Sequence, residues 1–371
     1  MNKEKFTGHY GFRPPDTESI NIILIHITPM IAGQKYKTII FVILLSVVSV
    51  TVIGSFITYR IDGYKRAMFE DMIEGRAYKP FVYRCLVPII IRNTSNLIPA
   101  NSAEKINEWG RENIPILTAN GNNIRFIHYA AALIIWFLSV IGFAFALMKL
   151  AEKFYSLNRN SLYIIALISV AGLPVFFKYY GYVYDFTDLF LFTLCLYFLA
   201  DEKWILYSFF LAVATINKET SVLLILVYFL YYKNKLTKSF FYKLLLLQIT
   251  LFVVIKGIID LSFINNPGSI VEFHIEHNLG LEPFSLAQFA ALLALGILIF
   301  KDWKYKPAFL KTSSLVLIPL IALTFFFGYL DEYRDYYEIY PILVLLIAYT
   351  IFKFLNFKGF SEGRGSLNYK T

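Results

Sequence analysis

Carboxylates, tyrosines and a few cations collect in short stretches between long apolar runs. The first reads Tyr179, Tyr180, Gly181, Tyr182, Val183, Tyr184, Asp185, Phe186, Thr187, Asp188, and its two acids, three apart, share a helix face. A second is Asn217–Lys218–Glu219–Thr220. A third sets Asp331, Glu332, Arg334, Asp335 and Glu338 among Tyr333, Tyr336, Tyr337 and Tyr340, and Asp62, Glu70, Asp71 and Arg84 lie earlier. Carboxylates with tyrosine and asparagine suit sugar hydroxyls, and arginine or lysine suits a phosphate. A carboxylate beside an acceptor hydroxyl can act as general base, and displacement at an anomeric carbon requires no organic cofactor. The chain carries no phosphate-cradling glycine loop, zinc-protease helix or serine nucleophile elbow.

Each stretch also has a purely structural explanation. Asp188 and Glu219 fall in first helical turns, where an acid stabilises the dipole by about 0.3–1 kcal/mol. Lys256 and Asp260 have the spacing of an intrahelical ion pair. His274, Glu276 and His277 are metal-ligating types whose spacing fits no metal motif, so a solvated loop and no metal are expected. Tyr179–Tyr184 could serve as a membrane-surface aromatic belt.

The elements that position these groups follow from composition. Of 371 residues, 57% are hydrophobic and 16% charged, against about 45–50% and ~25% in soluble proteins. The apolar residues form runs near the ~20 residues that cross a ~30 Å hydrocarbon layer. An all-α polytopic membrane protein follows, which excludes a soluble nucleic-acid binder despite the net charge of +9. About ten spans are expected: 38–59, 124–148, 160–177, 186–200, 203–217, 219–232, 239–263, 284–300, 309–329 and 337–356. Two pairs, joined at Asp201–Lys203 and Asn217–Thr220, read as tight helical hairpins with tips near the membrane surface. Cys85 and Cys195 are too few for a disulfide framework, and the first 37 residues show no cleavable signal.

Lysine and arginine are retained on the cytoplasmic side. With both termini inside, the cytoplasmic segments hold 21 of the 35 Lys and Arg and 8 of the 26 acids, leaving 18 acids outside. The expected domains are a cytoplasmic segment 1–37, with an interfacial helix over Ile20–Ile31, a transmembrane domain 38–356 and a cytoplasmic tail 357–371. The first outer loop, 60–123, is expected to carry an amphipathic helix over 64–74, a broken interfacial stretch over 80–98 and a polar helix over 102–112. The polar groups concentrate on the outer face. No half-repeat is visible, which disfavours a transporter.

Arg60–Ile61–Asp62–Gly63–Tyr64 followed by Pro80–Phe81–Val82–Tyr83–Arg84–Cys85–Leu86–Val87–Pro88 resembles the first outer loop of polytopic GT-C type membrane glycosyltransferases, particularly poorly characterised bacterial members. Tyr184–Asp185 with Asp188, Asn217–Lys218–Glu219–Thr220 and Glu332–Tyr333–Arg334 with Pro341 are similar to stretches of those proteins. The resemblance implies transfer from a polyprenyl-phosphate-linked sugar to a saccharide or other acceptor on the non-cytoplasmic face of the inner (plasma) membrane, in envelope polysaccharide or glycoconjugate synthesis. It implies Asp62 as catalytic base, with Glu70 and Asp71 as the fallback, and leaves a divalent metal open. Arg84, Arg334 and Lys218 are the expected phosphate partners, with Asp185, Asp188 and Glu219 on the substrate. The alternatives are a transporter or flippase of a lipid-linked sugar or other polar solute, and a non-catalytic subunit of a polysaccharide assembly complex.

Overall fold

The computed structural model describes residues 17–58, 61–118, 123–269, 271–279, 286–357 and 361–362; side chains are described for these except 17–33, 287 and 361–362. The expected N-terminal segment up to residue 16, Arg60 and most of the tail lie outside the described residues. The chain divides into two compact units, Met1–Leu44 and Leu45–Thr371. The packing and the site below belong to the second.

The described chain is almost entirely helical. In order come α1 (Thr17–Thr58), α2 (Phe69–Ile73), α3 (Leu86–Ser95), α4 (Ala100–Asn113), α5 (Phe126–Phe154), α6 (Arg159–Ala171), α7 (Asp185–Ala200), α8 (Trp204–Asn217), α9 (Val222–Tyr232), α10 (Lys238–Ser262), α11 (Ile275–Leu279), α12 (Leu286–Phe300), α13 (Ala308–Ser313), α14 (Leu317–Phe327) and α15 (Tyr340–Phe354). The strands consist of one two-residue antiparallel pair, Tyr155–Ser156 with Ser361–Glu362.

Five helical segments among the described residues are long and apolar enough to cross a membrane: Gln34–Thr58, Phe126–Phe154, Arg159–Phe176, Lys238–Ser262 and Ala308–Phe327. They coincide with five of the ten expected spans. The other five stretches are helical but shorter. At 1.5 Å per residue, the 14 residues of α8 reach only about 21 Å. Ile20–Ile31 falls within α1 rather than forming a separate helix ending near Pro29.

The core is built around α5 and α7. The Trp136 indole of α5 is fully buried and donates to the Val183 carbonyl at 2.8 Å, while Ser139 bonds Thr187 at 3.0 Å. Phe56 packs against Trp136, Phe177 and Phe186. Phe190 lies flat over Gly142, where a Cβ would approach its ring to 2.8 Å. By contrast α10 leaves Leu246, Val253, Ile258 and Leu261 exposed, an apolar face suited to lipid.

The 60–123 segment departs from its expected pattern at the first helix. In place of a helix over 64–74 there is a 3-10 turn at Lys65–Ala67, then α2. The Asp62 carboxylate accepts from the Phe69 N–H at 2.6 Å, and Met68 is extended, so the helix restarts at Phe69. Phe69, Met72 and Ile73 are buried. The stretch 80–98 is broken at Arg84, between a 3-10 turn at Phe81–Tyr83 and α3. The polar helix expected over 102–112 is α4. Asn266 donates to the Gly75 and Ala77 carbonyls at 2.9 Å, tying this segment to the turn after α10.

The α4 helix fixes the start of α5. The Asn107 side chain accepts from the Ile127 N–H at 3.1 Å, and Gly110 abuts Phe126, whose Cβ would lie 2.3 Å from a Cβ at position 110. Gly110→Ala is expected to destabilise the protein by about 1–3 kcal/mol through overpacking. Thermal unfolding in detergent, followed by tryptophan fluorescence, would measure this.

Candidate functional site

Tyr182 and Tyr184, two residues apart in the turn that leads into α7, stack with centroids 5.6 Å apart and planes at 2°. The Arg334 guanidinium lies over Tyr182 at 4.0 Å and that of Arg84 over Tyr184 at 4.9 Å. The result is a cation, two rings and a second cation in one column, an arrangement strengthened by exclusion of water. Tyr182 and Tyr184 are buried, so these two form part of the site rather than a surface belt.

Carboxylates from separate elements meet each cation. Arg84 donates to Glu219 at 2.7 Å and to the Tyr184 hydroxyl oxygen. Arg334 pairs with Glu332 at 2.6 Å and Asp185 at 3.6 Å. Asp185 also accepts from the Tyr182 N–H at 2.9 Å. Lys218, extended between α8 and the 3-10 turn Glu219–Ser221, donates to Asp188 at 3.1 Å and Glu338 at 2.7 Å. The Thr220 hydroxyl also donates to Glu338. The tip at Asn217–Thr220, expected near the membrane surface, is therefore drawn inward, with Asn217 and Lys218 buried. All six expected substrate-binding residues, Arg84, Asp185, Asp188, Lys218, Glu219 and Arg334, belong to this network.

A cavity of about 530 Å³ opens against it. Its polar side includes Arg84, Lys218, Glu219, Glu272, Glu332, Arg334 and Asp335, with Tyr64, Tyr180 and Tyr182. Its apolar side is the α14 face of Leu320, Leu323 and Phe327. Leu323 and Phe327 on this side are exposed. Burial and the neighbouring Glu332 push the Asp335 carboxyl up to about 6.

The three expected catalytic acids lie elsewhere and do not line the cavity. Asp62 caps α2; burial pushes its carboxyl up against the opposing effect of the Phe69 N–H. Asp71 pairs with Arg76 at 3.2 Å. Glu70 accepts from the Arg125 N–H at 2.7 Å and contacts His128 Nδ1 at 2.9 Å. Burial would raise the Glu70 carboxyl, but His128 and Arg125 outweigh it and hold it below its usual range.

Glu70, Glu74 and His128 bring one ligand atom each within 4.8 Å of one another. Arg125 ion-pairs with both glutamates, so a divalent cation would have to displace it. The set fits an ion-paired loop anchor better than a metal centre. One other pairing differs from expectation. Lys256 faces the Tyr83 ring at 5.1 Å and forms no ion pair with Asp260, whose buried Oδ1 has no partner among the described residues. His274 and His277 contribute to the cavity wall and lie 4.6 and 4.2 Å from the Tyr329 ring, while Glu276 and His277 are exposed to solvent.

Glu332, Asp335 and Glu338 enter the site without having been singled out as ligands. Their density between two apolar helices was the available signal. Lys218→Met would leave Asp188 and Glu338 buried without their cation, at a cost of about 3–5 kcal/mol. Adding Asp188→Asn and Glu338→Gln is expected to recover part of that loss in detergent thermal unfolding. No family model, curated protein or solved structure matches this chain.

Proposed function

We propose that the protein is a membrane glycosyltransferase that moves a sugar from a polyprenyl-phosphate-linked donor to an acceptor in this cavity. The observation that carries the reading is the cavity's two-sided wall. Carboxylates and tyrosines suit a saccharide, arginines reach toward a phosphate, and α14 offers a path for a lipid chain beside exposed Leu323 and Phe327. Arg84 and Arg334 would each exchange part of their carboxylate contact for the donor phosphate, which bidentate guanidinium geometry favours.

In this reading α7, α8, α9, α12 and α15 are the remaining spans, matched by local thinning of the bilayer. The cavity faces the non-cytoplasmic side of the inner membrane and both termini are cytoplasmic, as the lysine and arginine distribution favours.

The test uses purified protein in liposomes with a panel of polyprenyl-phosphate monosaccharides, following release of the free lipid phosphate. Turnover of at least one donor is expected, falling about 10- to 100-fold in Arg334→Ala through loss of a charge-assisted contact. Asp62→Asn keeps an oxygen for the Phe69 N–H and should retain turnover; its inactivity would return the base to the first loop. A carboxy-terminal fluorescent-protein fusion should be bright and the corresponding alkaline phosphatase fusion inactive.

A proton-driven transporter is the second reading, favoured by the buried Lys218–Asp188–Glu338 set, whose Glu338 Oε2 has no hydrogen-bond partner among the described residues. Proton uptake on addition of a free sugar to the same liposomes, without release of lipid phosphate, would select it.

A further inference from the structure

We propose that Asp335 is the general base of this site, the group that receives the acceptor's proton. The proposal rests on the transferase reading and places the base in the turn before α15, not in the first loop.

Among the acids that line the cavity, Glu219 is bound to Arg84, Glu272 to Arg66 and Glu332 to Arg334. A base must keep a lone pair open toward the hydroxyl it deprotonates. The Asp335 carboxylate faces the cavity and makes no ion pair or hydrogen bond among the described residues. Its own backbone is held, since its N–H donates to the Glu332 carbonyl at 3.0 Å within the 3-10 turn Tyr333–Tyr336.

The residue at 328 sets the place of the carboxylate. A Cβ there would lie 2.6 Å from Asp335 Oδ2 and 3.3 Å from the Thr324 methyl. Gly328 thus leaves room for the carboxylate against the end of α14, and an alanine would push it away.

The charges around Asp335 suit proton exchange. Burial and then Glu332 on its own turn oppose its ionisation, while Arg334, Lys218 and Arg84 favour it from the turn, the α8–α9 tip and the first loop. Tyr336 is a further neighbouring titratable group. Around the three cations stand six carboxylates, Asp185, Asp188, Glu219, Glu332, Asp335 and Glu338. Of these six, Asp335 has no direct counter-ion among the described residues.

In the step assigned to it, the acceptor hydroxyl oxygen bonds to the anomeric carbon as its proton passes to an Asp335 oxygen. The bond from the anomeric carbon to the phosphate oxygen breaks, and its electron pair leaves on the lipid phosphate. No oxidant, reductant or further reactant enters.

The experiment uses the full-length protein in the liposome assay above. Wild-type turnover should rise with pH through about 6 and then level, because only the ionised carboxylate accepts a proton. Asp335→Asn should lower kcat about 10²- to 10⁴-fold with little change in KM and without that acidic limb. Gly328→Ala should lower kcat with KM nearly unchanged. Asp335→Gly should be slow and regain turnover with added sodium formate, a measurement that serves even where the asparagine variant does not fold. Wild-type kcat and an intact acidic limb in Asp335→Asn, or no formate rescue of folded Asp335→Gly, would overturn the base and leave the transferase standing. Absence of turnover by the wild type with every donor would overturn the transferase reading and the base with it.

Discussion

Three cations, Arg84, Lys218 and Arg334, are held away from water at one end of the helices, and each is met there by carboxylates from other parts of the chain. An unpaired ion in this setting costs several kcal/mol, and a paired one repays that only in good geometry. The partners come from far apart in sequence. Arg84 of the first loop finds Glu219 between α8 and α9, Lys218 joins α7 to the turn before α15, and Arg334 of that turn finds Asp185 at the start of α7. Desolvation therefore disfavours local loosening of any one of these segments, because moving one strands a charge in another.

The tyrosine column makes this arrangement compact. Tyr182 and Tyr184 sit in a turn closed by the Asp185 N–H donating to the Tyr182 carbonyl, and their rings stack in parallel with one guanidinium against each. Aromatic faces can screen two like charges without themselves requiring a counter-ion. Behind them, Trp136 donates to Val183, the residue between the two tyrosines. The site thus rests directly on the packing of α5 against α7, and its tyrosines are set by this core contact together with the turn that Asp185 closes.

Much of the helical framework was legible in the sequence, because long apolar runs admit little besides a helix in a membrane. The first loop was less so. Hydrophobic spacing places Ala67, Met68 and Met72 on one helical face, but a single side-chain cap from Asp62 to the Phe69 N–H, seven residues on, interrupts that helix, and periodicity carries no information on such bonds. That Arg84, Asp185, Asp188, Lys218, Glu219 and Arg334 would meet in one charged network was legible, because ionisable groups beside apolar runs are costly and need partners. Which acid faces the cavity was not. Asp62 and Asp335 are alike as sequence, and only tertiary structure makes one a helix cap and leaves the other open.

The distribution of the charges bears on what the cavity can do. A site designed only to hold phosphate would keep its arginines free, whereas here both are already engaged by carboxylates, so an incoming phosphate must compete for them. A saccharide faces no such competition, because its hydroxyls can donate to the same carboxylates without breaking the ion pairs, and its apolar face can rest on tyrosine. Tight anchoring of the sugar with a loosely held phosphate is the balance that transfer requires, since the phosphate must leave as the new bond forms. In the transferase reading, binding energy realised on the sugar ring would contribute to positioning the anomeric carbon, and a weaker hold on the phosphate would avoid stabilising the bound donor more than the transition state.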